Sequence, residues 1–245
     1  MARVAIVTGA SRGIGAATAM RLARDGVDVV VNYRSDRAGA KTIVEAIRGL
    51  GQQAIAVRAD ISRPADVQAM ATRAVSELGG VDVLVNNAGT YERGTIDATS
   101  PEDWDRRLAT NLSGCFYASR AVVPHMRARG GGRIVNVASQ LVFRGTDHGA
   151  EYVAAKAGIV GLTRALAREL AKDGILVNAV APGAIETGLI AGDTPEGRAR
   201  RIRTIPLGRV GRPEEVAAAI AFFVGPGADY ITGQVLDVNG GLLMR

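Results

Sequence analysis

Short, nearly all-apolar runs alternate with longer segments of mixed apolar and charged residues along the whole chain. The runs are RVAIVTG (3–9), VDVVVNY (27–33), QAIAVRAD (53–60), VDVLVNNAG (81–89), GRIVNVAS (132–139), ILVNAVAPG (175–183) and QVLDVNGG (234–241). They do not alternate apolar with polar, which is the pattern of strands covered by helices on both faces. The segments between them predict helices over 14–25, 36–50, 64–78, 101–128, 152–172 and 213–225. Pro64, Pro101 and Pro213 stand where a first helical turn begins, and Gly26, Gly51 and Gly174 follow the expected ends. Alternating strand and helix predicts an α/β fold, a Rossmann-type doubly wound parallel sheet of about seven strands. No linker, repeat or low-complexity stretch interrupts it, so 1–245 reads as one dinucleotide-binding and catalytic domain.

In such sheets ligands bind outside the carboxyl ends of the strands. The unusual residues of this chain fall there: TGASRGIG, NYR, AD, NNAG, ASQ and APG. In the first of these turns, Gly9, Gly13 and Gly15 let the backbone approach a pyrophosphate at a helix N-terminus. Their spacing is GxxxGxG rather than GxGxxG, and a tight turn with close helix packing would also use it. There is no GxxxxGK[ST], which disfavours a nucleotide triphosphatase. After the second strand, Asn32, Tyr33 and Arg34 stand where an NAD site usually places an acid, and Asp36 comes after the strand has ended. Arg12 and Arg34 suit a 2′-phosphate, because guanidinium pairs with phosphate through two parallel hydrogen bonds. NADP(H) is therefore the expected cofactor, although Arg34 and Arg37 also suit the surface of the following helix.

Composition removes other classes. Aromatic residues are 4% of the chain, so small aliphatic residues must fill the core. No apolar run reaches the roughly 18 residues of a membrane span, and the N-terminus lacks a signal-peptide layout, so the chain reads as cytoplasmic. Cys115 is the only cysteine, and nothing resembles a metal cluster. The net charge of +6 raises nucleic-acid binding, but the arginines are interleaved with acids and no nucleic-acid motif accompanies GRARRIR at 197–203.

Lysine is scarce: Lys41, Lys156 and Lys172 are the only three. One of them follows Tyr152 by four residues in EYVAAKAG, which puts phenol and amine on one helical face. An ammonium about 4 Å from a phenol contributes roughly 4 kcal/mol at an effective dielectric of 20. That permits the phenol to fall by up to about 3 pH units from its ordinary value near 10. The pair can therefore form an acid poised near neutrality, or it can be an exposed aromatic–cation contact.

TGASRGIG, NNAG, Asn111, Ser139, the Tyr152–Lys156 pair and Pro182-Gly183, in this order over the full length, resemble the short-chain dehydrogenase/reductase family. The resemblance implies that Tyr152 protonates a substrate carbonyl while NADPH delivers hydride to its carbon, and that Ser139 holds the carbonyl oxygen. It implies that Lys156 lowers the Tyr152 pKa and binds the nicotinamide ribose, and that Asn111 supports a proton-relaying water. Cofactor contacts are implied for Ser11 and Ile14 in the glycine turn, for Asp60 and Ile61, and for Asn87, Ala88 and Gly89. They are also implied for Pro182, Gly183, Ile185 and Thr187. Gln140 departs from the family, which often has serine there; with Ser139, Tyr152 and the loop residue His148 it is expected to border the substrate.

The pattern is most similar to the 3-oxoacyl-[acyl-carrier-protein] reductases of fatty acid biosynthesis. An acidic carrier partner wants a basic rim, which Arg127, Arg129, Arg133 and Lys172 could supply, with Asp173 interrupting it. A reductase or dehydrogenase of small ketones, secondary alcohols or sugars is the second reading, and a non-catalytic NADP(H) sensor the third. A hydrolase built on Ser139, His148 and Asp147 is disfavoured because Ser139 lies outside a GxSxG elbow. Residues 186–205 form a long polar insert expected to act as a substrate lid. The resemblance also implies a homotetramer.

Overall fold

The computed structural model describes residues 2–188 and 194–244. Its sheet contains β1 (Arg3–Val7), β2 (Val27–Tyr33), β3 (Ala54–Arg58), β4 (Val83–Asn86), β5 (Gly132–Val137), β6 (Ile175–Pro182) and β7 (Val235–Val238). Their order is β3-β2-β1-β4-β5-β6-β7, and every pairing is parallel. Chain order reverses between β1 and β4, which makes the carboxyl end of β1 the topological switch point. In register, Ala5 pairs with Val29 on one side and Val83 on the other.

Side chains alternate faces along each strand, and the two faces build two cores. Ala5, Val7, Val29, Val31, Val83, Val85 and Val135 pack against α1 (Gly13–Arg24), α2 (Arg37–Gly49) and α9 (Pro213–Val224). Ile6, Val30, Leu84, Ile134 and Val177 pack against α3 (Pro64–Leu78), α5 (Gly114–Ala128) and α7 (Ala150–Leu170). Pro64, Pro101 and Pro213 start their helices as expected. Gly26, Gly51 and Gly174 take φ of 82°, 87° and 68°, a left-handed geometry that ends a helix cheaply only with glycine.

Two expectations need correction. The 101–128 helix is not continuous: α4 (Pro101–Leu108) passes into a π-helical turn, Ala109–Ser113, before α5 begins. Such turns concentrate at functional sites because they re-aim side chains, and this one carries Asn111. The insert at 186–205, read as a polar lid with no element assigned to it, carries a helix. Thr194 accepts a hydrogen bond from Gly197 N at 3.1 Å and Pro195 follows, starting α8 (Pro195–Arg203). Its polar sequence hides the helix from an apolar-periodicity reading. Residues 189–193 of that insert lie outside the described residues. A short helix, α6 (Leu141–Arg144), follows Ser139.

Candidate active site

The turn after β1 and the turn after β4 are tied together by their own polar groups. Thr8 Oγ1 accepts from Asn87 N (2.9 Å) and Ala88 N (3.0 Å), while Asn87 Nδ2 donates to Thr8 O (2.8 Å) and Gly9 O (3.2 Å). From β2, Asn32 Oδ1 accepts from Gly9 N at 3.0 Å, and Asn32 Nδ2 donates to Ala59 O at 3.1 Å. The ends of β1, β2, β3 and β4 are thus tied together, beside an open cleft of about 1110 Å³.

Gly9, Ser11, Arg12, Gly13, Ile14, Tyr33, Arg34, Asp60, Ile61, Asn87, Ala88, Gly89 and Thr187 all line this cleft. A nicotinamide dinucleotide fits it for stated reasons. Gly9 has φ +62° and a Cβ there would sit 2.9 Å from Ala88 Cα, so only glycine keeps the two turns together. No side chain caps α1 and its first turn holds no acid, which leaves the positive helix end open to phosphate. Arg12 and Arg34 are exposed at the rim. Asp36 caps α2 by accepting from Gly39 N at 2.9 Å, so the nearest acid after β2 is already engaged. Asp60 is held below the ordinary carboxylate range: burial works to raise it, but two hydrogen bonds from Ser62 and the charges of Arg34 and Arg63 outweigh burial.

Other expected contacts stand behind the cleft wall. Gly15 is buried, where a Cβ would collide with the Gly9 carbonyl. Gly183 packs on β7, donating to Val238 O at 2.9 Å, and Pro182 O accepts from Gln140 N at 3.1 Å. Ile185 is buried among the α9 residues.

None of the four residues expected to do chemistry is among those lining the cleft, but Asn111 and Lys156 stand behind its Gly89 wall. A Cβ on Gly89 would lie 2.6 Å from Asn111 Oδ1 and 3.6 Å from Lys156 Nζ. Asn111 is locked by two 3.0 Å bonds, accepting from Thr90 N and donating to Thr90 O. Lys156 is buried and donates to Val137 O at 2.7 Å, at the end of β5. Ser139 Oγ accepts from Leu141 N at 3.2 Å, and it is close enough to Tyr152 to favour the ionised phenol.

Electrostatics here differ from the expected tyrosine–lysine coupling. Lys156 Nζ lies 5.6 Å from the Tyr152 ring centroid and is engaged by the Val137 carbonyl. Burial pushes the Tyr152 phenol up to about 12; Ser139 opposes this and Tyr91 adds to it. Burial pushes the Lys156 amine down, with Cys115 opposing. Helical spacing brings the pair together, but desolvation outweighs attraction, and the phenol is a held proton rather than a phenolate.

Of the expected substrate residues, Gln140 is buried with its Oε1 lacking a hydrogen-bond partner. His148 lies 3.3 Å from Tyr91 OH and 2.7 Å from Thr146 Oγ1 through Nδ1. Tyr91 stands with its ring 4.7 Å from that of Tyr152, a neighbour with no marker in the sequence beyond its place after NNAG. The sequence reading quoted Thr8 within TGASRGIG without giving it a role, and it missed the ion pair of Arg107 with Glu151 at 2.6 Å, which belongs to no local motif.

The expected basic rim is not there. Arg127 pairs with Asp173 (2.8 Å), Arg129 with Asp82 (2.6 Å) and Arg133 with Asp229 (2.6 Å). Arg127, Arg129 and Lys172 precede strands β5 and β6 and Arg133 is the second residue of β5, all at the amino edge of the sheet and opposite the cleft.

Known proteins place this geometry. A family model described as Enoyl-(Acyl carrier protein) reductase matches residues 9–243. The chain is 41% identical over 244 residues to 3-oxoacyl-[acyl-carrier-protein] reductase FabG of Staphylococcus aureus, covering 100% of this chain and 99% of that one. It is 44% identical over 245 residues to 3beta-hydroxysteroid dehydrogenase 1 of Eggerthella lenta, covering 99% and 94%. The crystal structure of a blue fluorescent protein from a metagenomic library, in complex with NADPH, superposes with a TM-score of 0.94 at 38% identity, covering 99% and 98%. The chain belongs to the short-chain dehydrogenase/reductase family of oxidoreductases.

Proposed function

We propose that the chain reduces a carbonyl to a secondary alcohol with NADPH, acting on 3-oxoacyl groups carried by acyl carrier protein. The observation that carries the reading is the grouping of Asn111 and Lys156 behind the Gly89 wall of the cleft, with the Tyr152 ring 5.6 Å from Lys156 Nζ and Ser139 beside Tyr152. Bound NADPH supplies hydride to the carbonyl carbon. Tyr152 donates its phenolic proton to the carbonyl oxygen as that oxygen gains charge. A phenol kept protonated by burial suits this direction, because an alkoxide is far more basic than a phenolate and takes the proton readily. Ser139, beside Tyr152, holds the same oxygen. Lys156, buried with a depressed pKa, passes a proton toward Tyr152, and Asn111 steadies the relay from its π-turn. Arg12 and Arg34 select the 2′-phosphate.

Residues 1–245 work as one dinucleotide-binding and catalytic unit in this reading. The 186–205 segment serves as a lid, a role supported by the Glu186–Arg198 pair at 2.8 Å and by Thr187, Gly188 and Arg198 in the cleft wall. Exposed Trp104 and Phe116 on α4 and α5 support a homotetramer. Among the described residues no helix is long and apolar enough to cross a membrane, in keeping with a cytoplasmic enzyme.

The paired arginines at the amino edge, and the resemblance to a hydroxysteroid dehydrogenase, favour a second reading: a reductase or dehydrogenase of free ketones or alcohols. Following NADPH consumption with an acetoacetyl thioester on carrier protein, the same thioester on coenzyme A, and a panel of cyclic ketones separates the two. A preference for the carrier-bound thioester supports the first, and activity confined to free ketones supports the second. Tight NADPH binding with no turnover on any of them would leave a sensor.

A further inference from the structure

We propose that the buried Arg107–Glu151 ion pair, with Glu92, is a positioning device for the active-site phenol, setting the rate of proton donation rather than affinity for substrate or cofactor. The proposal rests on Tyr152 being the proton donor. Arg107 is 7% exposed and Glu151 only 1%. Arg107 Nη1 donates to Glu151 Oε1 at 2.6 Å and Nη2 donates to Glu92 Oε2 at 2.9 Å, with Asp103 Oδ2 at 3.7 Å.

Each partner sits beside a residue of the site. Glu151 precedes Tyr152 in the first turn of α7. Glu92 follows Tyr91, whose ring lies 4.7 Å from that of Tyr152. Arg107 is one turn before Asn111, at the entry to the π-helical segment. One guanidinium therefore clamps the three segments that carry Tyr152, Tyr91 and Asn111. A second tie runs beside it, Gly149 N donating to Gly94 O at 2.8 Å. α7 begins after Gly149 with φ 72° and no side-chain cap, so the usual means of fixing a helix start is missing.

Stability alone does not account for the pair. Glu151 Oε2 and Arg107 Nε are buried without hydrogen-bond partners, and a buried ion pair left partly unsatisfied is generally no more stable than apolar residues of the same volume. What the charges add is direction: a planar guanidinium accepts only a narrow set of carboxylate positions.

The test compares the full-length parent with Glu151→Gln and with the double variant Arg107→Met/Glu151→Leu. Acetoacetyl-coenzyme A with NADPH reports kcat and KM, NADPH fluorescence reports cofactor affinity, and ¹³C-tyrosine NMR reports the Tyr152 resonance, assigned by its loss in Tyr152→Phe. In both variants kcat is expected to fall about tenfold or more, with KM and NADPH affinity within about threefold of the parent. The Tyr152 resonance is expected to shift or split, while the double variant keeps the parent's Tm because apolar residues replace both charges. A double variant with parental kcat and an unmoved Tyr152 resonance would overturn the proposal, even if Glu151→Gln fails to fold. If Tyr152→Phe itself retains turnover, the proton-donor reading fails separately. The NMR comparison then still decides whether the ion pair sets the phenol.

Discussion

The two edges of the sheet carry the same kinds of residue and use them in opposite ways. At the amino edge, arginines and aspartates close on one another: Asp82 accepts from Arg129 Nε at 2.6 Å and from Val4 N at 2.7 Å, and Arg133 meets Asp229. At the carboxyl edge, Arg12 and Arg34 face the cleft and form no ion pair within 4 Å among the described residues, although Arg34 is near enough to lower the Asp60 carboxyl. Glycines and an uncapped helix extend that open donor surface. The comparison teaches that a basic residue is available to a ligand only where the fold has not already supplied its acid. Counting arginines along the chain does not reveal this.

The sharpest way to break the comparison is at Tyr152. Tyr152→Phe keeps the ring packed against Tyr91 and removes the proton, so turnover is expected to fall by about 10²–10⁴-fold, with NADPH affinity within a few-fold. Lys156→Arg is expected to lose activity as well, since a planar guanidinium cannot replace a compact amine bonded to Val137 O. Near-parental kcat in either variant, measured at saturating NADPH, would remove the chemistry from this edge. A titration adds a second check. The tyrosinate absorbance lost in Tyr152→Phe should appear near pH 12 in the free protein, and ionisation below 10 would contradict the burial argument.

A smaller effect is expected at the cofactor rim. Arg34→Ala removes one charge-assisted contact, worth about 1.5 kcal/mol or roughly tenfold. The ratio of kcat/KM for NADPH over NADH should drop by about that factor, and an unchanged ratio would assign Arg34 to the surface of α2.

The amino edge should respond only in stability. Arg129→Ala removes the Asp82 pair and bonds to Gly79 O and Ala2 O, all partly exposed. A loss of about 1–2 kcal/mol after screening lowers Tm by several degrees and leaves kcat and cofactor preference unchanged. A selective loss of carrier-bound thioester activity would instead restore the basic-rim reading.

The smallest effect lies at Glu215, where hydrogen bonds from Arg209 and from Arg212 N bring the carboxyl down from 4.5 to about 2. A depressed folded-state pKa contributes stability that is present above the unfolded value and lost as pH falls toward the folded one. Glu215→Gln should therefore be less stable than the parent near neutrality and flatten the acid-unfolding profile between about 4.5 and about 2, with the difference closing as pH falls through that range. An unchanged profile would show that the pair is not formed in solution.

Much of the site was legible because its markers are local. The glycine turn, NNAG and the Tyr152–Lys156 spacing each declare themselves within a few residues, while Asn111 and Ser139 were implied by the family resemblance. What escaped has no such marker. α8 lacks an apolar stripe, and Arg107 looks like any cation on a helix until Glu151 is brought to it. The tyrosine–lysine pair shows both sides at once. Spacing placed the two groups together, but burial at the end of β5 decided which way the phenol would move.

By itself, then, the sequence determined what nearest neighbours along the chain can determine. Period and side-chain branching dictate strands and helices, and prolines and glycines mark where helices start and stop, because these depend on sterics within a few residues. The tertiary structure alone decided which charges are paired, which polar groups are dried and what faces the cleft. Arg107 and Glu151 are 44 residues apart, and Arg133 and Asp229 are 96 apart. Contacts at such separations, and the desolvation that goes with them, exist only once the sheet has set its strand order. Local rules carry no information about either.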